Sequence, residues 1–152
     1  MFLAGKEGKH MQKEKIQELI SLALEARKFS YSPYSHFEVG AALLAKNGRV
    51  FTGCNIENAG YTPTNCGERT AFFKAVSEGV REFTAIAVVA GPAGTKGDLA
   101  MGAPCGVCRQ VMMEFCDPGE FLVIVAASVE KYEVYTLEQL LPCGFGPKDL
   151  GM

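Results

Sequence analysis

The sequence predicts an α/β protein of three layers, α/β/α, with helices on both faces of one mixed β-sheet. Three observations carry that prediction. Residues 84–90 and 121–127 are continuous apolar runs of strand length, the mark of strands covered on both faces. Segments with helical apolar spacing precede and separate these runs, so the order reads α-β-β-α-β-α-β-β-α. A length of 152 residues suits one domain with a proper core and leaves little room for two. Strand order within the sheet does not follow from spacing.

Along residues 12–27, Ile16, Leu19, Ile20, Ala23 and Leu24 recur at i, i+3, i+4, i+7 and i+8, one face of a helix. Tyr31-Ser32-Pro33-Tyr34-Ser35 interrupts that pattern as a loop. Val39, Ala41 and Leu43 alternate as a strand, and Asn47-Gly48 predicts a two-residue hairpin in which both central residues take positive φ. Residues 50–54 supply the return strand. Residues 55–65 are polar, contain Pro63 and read as a loop. A helix over 66–78 buries Ala71, Phe72, Ala75 and Val76, and Gly79 stops it. After the strand at 84–90, residues 91–103 hold four glycines and two charges and read as a flexible connection. A shorter helix over 105–116 leads into the strand at 121–127. A last strand at 132–135 and a helical turn at 137–141 complete the chain.

Composition excludes several classes. With 15 basic and 17 acidic residues the net charge is −2, so the basic footprint of a nucleic-acid binder is missing. No apolar run approaches the roughly 20 residues that a membrane helix needs. Lys6, Lys9, Lys13 and Lys15 stand at the start without an apolar core, which is not a secretory pattern. Met11 offers an internal start, so residues 1–10 are expected to be a disordered N-terminal extension and residues 11–152 the single domain. The expected location is cytoplasmic, with neither nucleic acid nor membrane as partner. Six cysteines in that reducing setting point to metal binding or thiol chemistry rather than a disulfide framework.

Three of the cysteines stand out by placement. Cys105-Gly106-Val107-Cys108 sets two thiols one turn apart at a helix start, after Pro104, which suits a first helical turn. Cys66 stands at the start of the preceding helix, with Glu68 two positions on. Helix N-termini offer unpaired amides and a positive dipole, which favour thiolates. Two helices aiming three sulfurs at one point would make a catalytic zinc site with an open fourth position. A Cys-x-x-Cys redox pair and a chance pairing remain as alternatives. Glu68 has a bland reading too, as a capping-box carboxylate answering Asn65. Cys54, Cys116 and Cys143 lie in or beside apolar segments and read as small buried hydrophobes, or one of them as a fourth metal ligand.

The combination is more specific than its parts. Cys66-x-Glu68 with Pro104-Cys105-x-x-Cys108 is the zinc-deaminase signature in its three-cysteine form. Residues 55–59 (Asn-Ile-Glu-Asn-Ala), 65–71 (Asn-Cys-Gly-Glu-Arg-Thr-Ala) and 104–110 (Pro-Cys-Gly-Val-Cys-Arg-Gln) resemble the small, homotetrameric cytidine deaminases. Residues 31–44, 73–79 and 140–142 match as well, so the resemblance covers about residues 14 to 150. It implies the cytidine-deaminase-like fold and one zinc per chain on Cys66, Cys105 and Cys108, with water as fourth ligand. Glu68 would then shuttle the proton from water to the pyrimidine N3 and on to departing ammonia. Arg69 would donate to cysteine sulfur and withdraw charge from the three thiolates.

The resemblance also assigns a small-molecule nucleoside as the substrate. Asn55 and Glu57 resemble the pair that hydrogen-bonds the sugar 3′-hydroxyl, Glu57 accepting and Asn55 donating. Phe37 resembles the aromatic that packs on the pyrimidine, and by itself it reads as core. Tyr61 and Phe145 resemble residues that a neighbouring subunit lends to the pocket, in a homotetramer with shared active sites. Two departures are visible. Gly67 replaces the usual alanine between cysteine and glutamate, and Gly144 and Gly146 flank Phe145. The resulting expectation is zinc-dependent hydrolysis of cytidine and deoxycytidine to uridine and deoxyuridine, in pyrimidine salvage. Its rivals are deamination of another aminopyrimidine nucleoside such as blasticidin S, a thiol–disulfide oxidoreductase, and a structural zinc protein.

Overall fold

The computed structural model describes residues 11–152; the expected extension, residues 1–10, lies outside the described residues. Five strands form one mixed sheet in the order β2-β1-β3-β4-β5. They are β1 Phe37–Ala45, β2 Val50–Cys54, β3 Phe83–Pro92, β4 Leu122–Ala126 and β5 Tyr132–Thr136. The helices are α1 Lys13–Arg27, α2 Gly67–Ser77, α3 Gly106–Phe115 and the short α4 Leu137–Leu140, with a 3₁₀ turn at Pro147–Leu150. The expected three layers and the element order are both present.

Side-chain alternation along the strands divides the core in two. Ala42 and Leu44 of β1, Ala85, Ala87 and Val89 of β3, and Ile124 and Ala126 of β4 pack against Ile16, Leu19, Ile20 and Ala23 of α1. Ala41, Leu43, Ile86, Val88, Val123 and Val125 face the other way, onto Ala71, Phe72 and Ala75 of α2 and Met112 of α3. A register shift between Leu44 and Ala45 swings Phe83 onto this second face. There its ring meets Phe72 edge-on, centroids 5.0 Å apart. β1 is thus buried on both faces from Gly40 to Ala45, where its sequence alternation predicts burial on one.

Three other expectations are corrected. The β1–β2 hairpin has three loop residues rather than two: Ala45 N donates to Arg49 O, Gly48 N donates to Ala45 O, and only Gly48 takes positive φ. A single glycine in the left-handed region suffices for that longer turn. Residues 91–103 are a pinned connection, because Ala100 bridges Ala90, Leu99 N donates to Ala127 O and the Leu99 side chain is buried in the α1-side core. Pro104 lies just outside α3, whose N-cap is Cys105.

Topology decides where the site forms. β1 runs antiparallel to both β2 and β3, so β2 and β3 point the same way. α2 follows β2 and α3 follows β3, and both helices therefore begin at the carboxyl ends of these strands, the edge where open α/β sheets bind ligands. Gly53 brings α2 close: a Cβ there would lie 2.3 Å from Gly67 O and 2.6 Å from Ala71 N. The helix start is thereby seated on the backbone of β2.

Candidate active site

Cys66 is the N-cap of α2, Cys105 the N-cap of α3, and Cys108 stands in the first turn of α3. Their sulfurs converge: Cys66 Sγ lies 3.9 Å from Cys105 Sγ, Cys105 Sγ lies 3.5 Å from Cys108 Sγ, and all three fall within 4.8 Å of one another. Tetrahedral zinc with sulfur bonds of about 2.3 Å places its thiolates about 3.8 Å apart, so the donor set fits the ion in both chemistry and spacing. No other histidine, cysteine or acid among the described residues joins the three, which disposes of a closed four-cysteine site. All six cysteines are free thiols.

Glu68 is 4% exposed and stands beside the sulfurs, with Cys108 Sγ donating to its Oε2 at 3.7 Å. Burial, seconded by the Cys66 charge, pushes its carboxyl up to about 7. No side chain caps α2, so the capping-box reading of Glu68 fails; Asn65 instead donates to the Thr70 hydroxyl. The Cys66 thiol is drawn down to about 5, first by its hydrogen bond with Cys108 and then by Arg69, against the cost of burial. Cys108 correspondingly holds its proton, its pKa raised by that same bond and by burial. Arg69 Nη2 donates to Cys66 Sγ at 3.4 Å, the arrangement expected of a guanidinium that shares thiolate charge, while its buried Nε has no partner.

The second half of the site lies on the loops before and after this edge of the sheet. Asn55 is buried, and its side chain spans the start of β1: Nδ2 donates to Phe37 O at 2.7 Å and Oδ1 accepts from Val39 N at 2.9 Å. One amide hydrogen remains for a ligand. Glu57 Oε1 accepts from Tyr34 N at 3.0 Å and from Ser35 N at 3.1 Å. These bonds join the Tyr31–Ser35 turn to the Asn55–Glu57 segment. Phe37 is 41% exposed and belongs to neither core cluster, which corrects its reading as core; it caps β1 at the sheet's open end.

Tyr61 is 73% exposed in a left-handed conformation, φ 55°, and its ring meets Tyr34 edge-on at 6.2 Å. Phe145 is 57% exposed, yet its backbone is not free: Gln110 Nε2 donates to Phe145 O at 2.9 Å, so the tail docks on α3 while the ring faces out. Sequence reasoning passed over Arg109, which binds Pro104 O through Nε at 2.7 Å and Leu140 O through Nη1, tying the Cys105 segment to α4. It passed over Ser35 as well. A cation directly after a ligating helix turn, and a serine two positions before a strand start, are the only signals either residue offers.

Three thiols and an acid-holding carboxyl at two helix starts define a metal-dependent hydrolytic enzyme. The profile of the cytidine and deoxycytidylate deaminase zinc-binding region matches residues 13–125, and the chain belongs to this zinc-dependent cytidine deaminase family. A cytidine deaminase of Sporosarcina psychrophila is 50% identical over 135 residues, which are 89% of this chain and 94% of the relative. A crystal structure of cytidine deaminase from Burkholderia pseudomallei superposes with a TM-score of 0.74 at 47% identity, covering 84% of this chain and 97% of that one. A blasticidin-S deaminase of Bacillus cereus is 30% identical over 127 residues, 82% of this chain and 88% of the relative.

Proposed function

We infer that the chain hydrolyses cytidine and deoxycytidine to uridine and deoxyuridine with release of ammonia, in pyrimidine salvage. The observation that carries this reading is the buried Glu68 carboxyl beside three convergent thiols. Cys66, Cys105 and Cys108 hold one zinc per chain, which supplies a Lewis acid that makes water acidic enough to react near neutral pH. Glu68 accepts the proton of the attacking water and passes it to N3 of the ring as C4 becomes tetrahedral. It then takes the proton of the new C4 hydroxyl and delivers it to the amino group, so that the C4–N bond breaks, ammonia leaves and the C4 carbonyl forms. Burial, which raises the Glu68 carboxyl above its usual range, suits a group that must act as base and then as acid. Arg69 keeps the Cys66 charge from accumulating at the centre.

Phe37 packs on the pyrimidine, and Asn55 and Glu57 hold the 3′-hydroxyl, for which one Asn55 N–H is left over. A clamp that needs a free 3′-hydroxyl selects nucleosides over polynucleotides, in keeping with the net charge of −2. The 50% identity to a cytidine deaminase, against 30% to a blasticidin-S deaminase, favours the plain nucleoside. Tyr61 and Phe145, both aromatic and exposed on a single chain, suit a homotetramer in which each pocket is completed by a neighbour. The domain proposed is residues 11–152, with residues 1–10 an extension to it, and the location proposed is the cytoplasm. No helix among the described residues is long and apolar enough to cross a membrane.

The test is metal analysis with an ultraviolet assay of cytidine loss. The purified protein should carry one zinc per chain and convert cytidine, and Cys105→Ala should lose both metal and turnover. Full zinc and turnover in that variant would move the site elsewhere.

A further inference from the structure

Ser35 occupies the joint between the two substrate-facing groups. Its backbone N–H donates to Glu57 Oε1 at 3.1 Å, and its hydroxyl oxygen accepts from Phe37 N at 3.1 Å. The second bond spans two residues, the local turn that serine makes with its own backbone. It closes because His36 between them takes a left-handed conformation, φ 54°. His36 N in turn donates to Ser32 O, and Ala93 N donates to His36 O, so the turn is braced from both sides. Among the described residues no lysine or arginine forms an ion pair with Glu57, and neighbouring N–H groups hold its orientation.

We propose that Ser35 is a positioning residue for Glu57: it fixes which way the carboxylate faces and so sets recognition of the nucleoside 3′-hydroxyl. The Ser35 hydroxyl is the largest of the influences that hold the Glu57 carboxyl below its usual range, followed by the Ser35 amide. With Oε1 occupied by two amides, Oε2 is the oxygen left to accept from the sugar. Removing the hydroxyl frees the Phe37 amide and loosens the turn that carries both donors to Glu57. The carboxylate then samples orientations that miss the hydroxyl. This inference rests on the proposed cytidine reading and adds to it a residue that never touches the reacting atoms.

The test compares cytidine with 3′-deoxycytidine in the zinc-loaded enzyme, the parent against Ser35→Ala and Ser35→Thr. Loosening the turn that presents the Tyr34 and Ser35 amides to the charged Glu57 carboxylate should raise KM for cytidine roughly ten-fold, with kcat within about two-fold. KM for 3′-deoxycytidine, which lacks the group Glu57 reads, should move no more than about two-fold, and Ser35→Thr should restore the parent's preference. Ser35 is exposed, so zinc content and melting temperature should match the parent. Equal losses on the two substrates, no loss on either, or a fall in zinc content would overturn the proposal. A parent that leaves cytidine intact would sink the substrate reading itself, an outcome distinct from a parent that works and a Ser35→Ala variant that matches it.

Discussion

The Cys108 thiol and the Glu68 carboxylate, 40 positions apart in the chain, stand 3.7 Å from each other in the interior. The sulfur proposed as a metal ligand and the carboxyl proposed as the proton carrier are thus neighbours because two helices start at one end of the sheet. The carboxyl's raised pKa follows from that burial more than from any single charge.

Glu68→Gln separates proton transfer from metal binding. The amide keeps size and burial but carries no transferable proton. Turnover of cytidine should fall by at least about 10²-fold, while zinc content and melting temperature stay near the parent's. Activity within a few-fold of the parent would reduce Glu68 to a packing residue.

The pH dependence of stability should carry the Glu68 signature in metal-free protein. Its folded pKa, about 7, lies above the ordinary 4.5, so the folded state holds this proton more tightly than the unfolded one. The stabilisation is complete below pH 4.5 and is lost as pH rises through 7. The Cys66 charge is one cause of the Glu68 shift, so the difference in unfolding free energy between parent and Glu68→Gln reports the Glu68 proton together with that coupling. That difference should shift against the parent by about 3 kcal/mol across the window. Urea unfolding of chelator-treated protein at several pH values measures it, and a flat difference would mean an unperturbed carboxyl.

Gly53→Ala should destabilise the fold by about 1–3 kcal/mol or more, because its Cβ meets backbone of α2 rather than a side chain that can turn away. Displacing α2 also moves Cys66 and Glu68, so activity should fall with stability. Gly106→Ala, where a Cβ meets nothing within 4 Å, should unfold within about 0.5 kcal/mol of the parent. Thermal unfolding of the pair distinguishes close packing from a general intolerance of alanine.

Shared pockets predict repair between two defective chains. A Phe145→Ala chain keeps its own Glu68, and a Glu68→Gln chain keeps a sound Phe145. Co-expressed, the two should give activity clearly above the sum of either alone, from pockets that combine both good residues. A monomer at all concentrations, or mixtures without that gain, would leave each pocket to its own chain.

The elements were legible because apolar periodicity tracks the core they build. Ile16, Leu19, Ile20 and Ala23 recur at helical spacing and all four are buried. The run at 84–90 is covered on both faces as its continuity predicts. Strand order was not legible, since pairing of β1 between β2 and β3 is a long-range choice that leaves no mark on spacing. The thiol cluster could be read from helix starts and motif spacing, whereas the clamp could not be read in full. The resemblance gives Asn55 a donor role toward the sugar, and it says nothing of the carbonyl and the other N–H, which bind the backbone of Val39 and Phe37. Phe37 was expected in the core because an aromatic next to an apolar strand usually is; its place at the strand's end leaves it open. Such contacts belong to the fold, and composition does not carry them.

The three-residue turn between β1 and β2 has a practical consequence. It lies at the end of the sheet opposite the helix starts that carry the thiols, its residues from Lys46 to Arg49 are exposed, and Gly48 has open space around it. Chain inserted between Asn47 and Gly48 enters solvent without crossing the core, the setting in which insertions are tolerated. An affinity handle or fluorescent module spliced there would leave the pocket edge clear and both chain ends untouched, making the hairpin tip the natural point for tethering this protein to a surface.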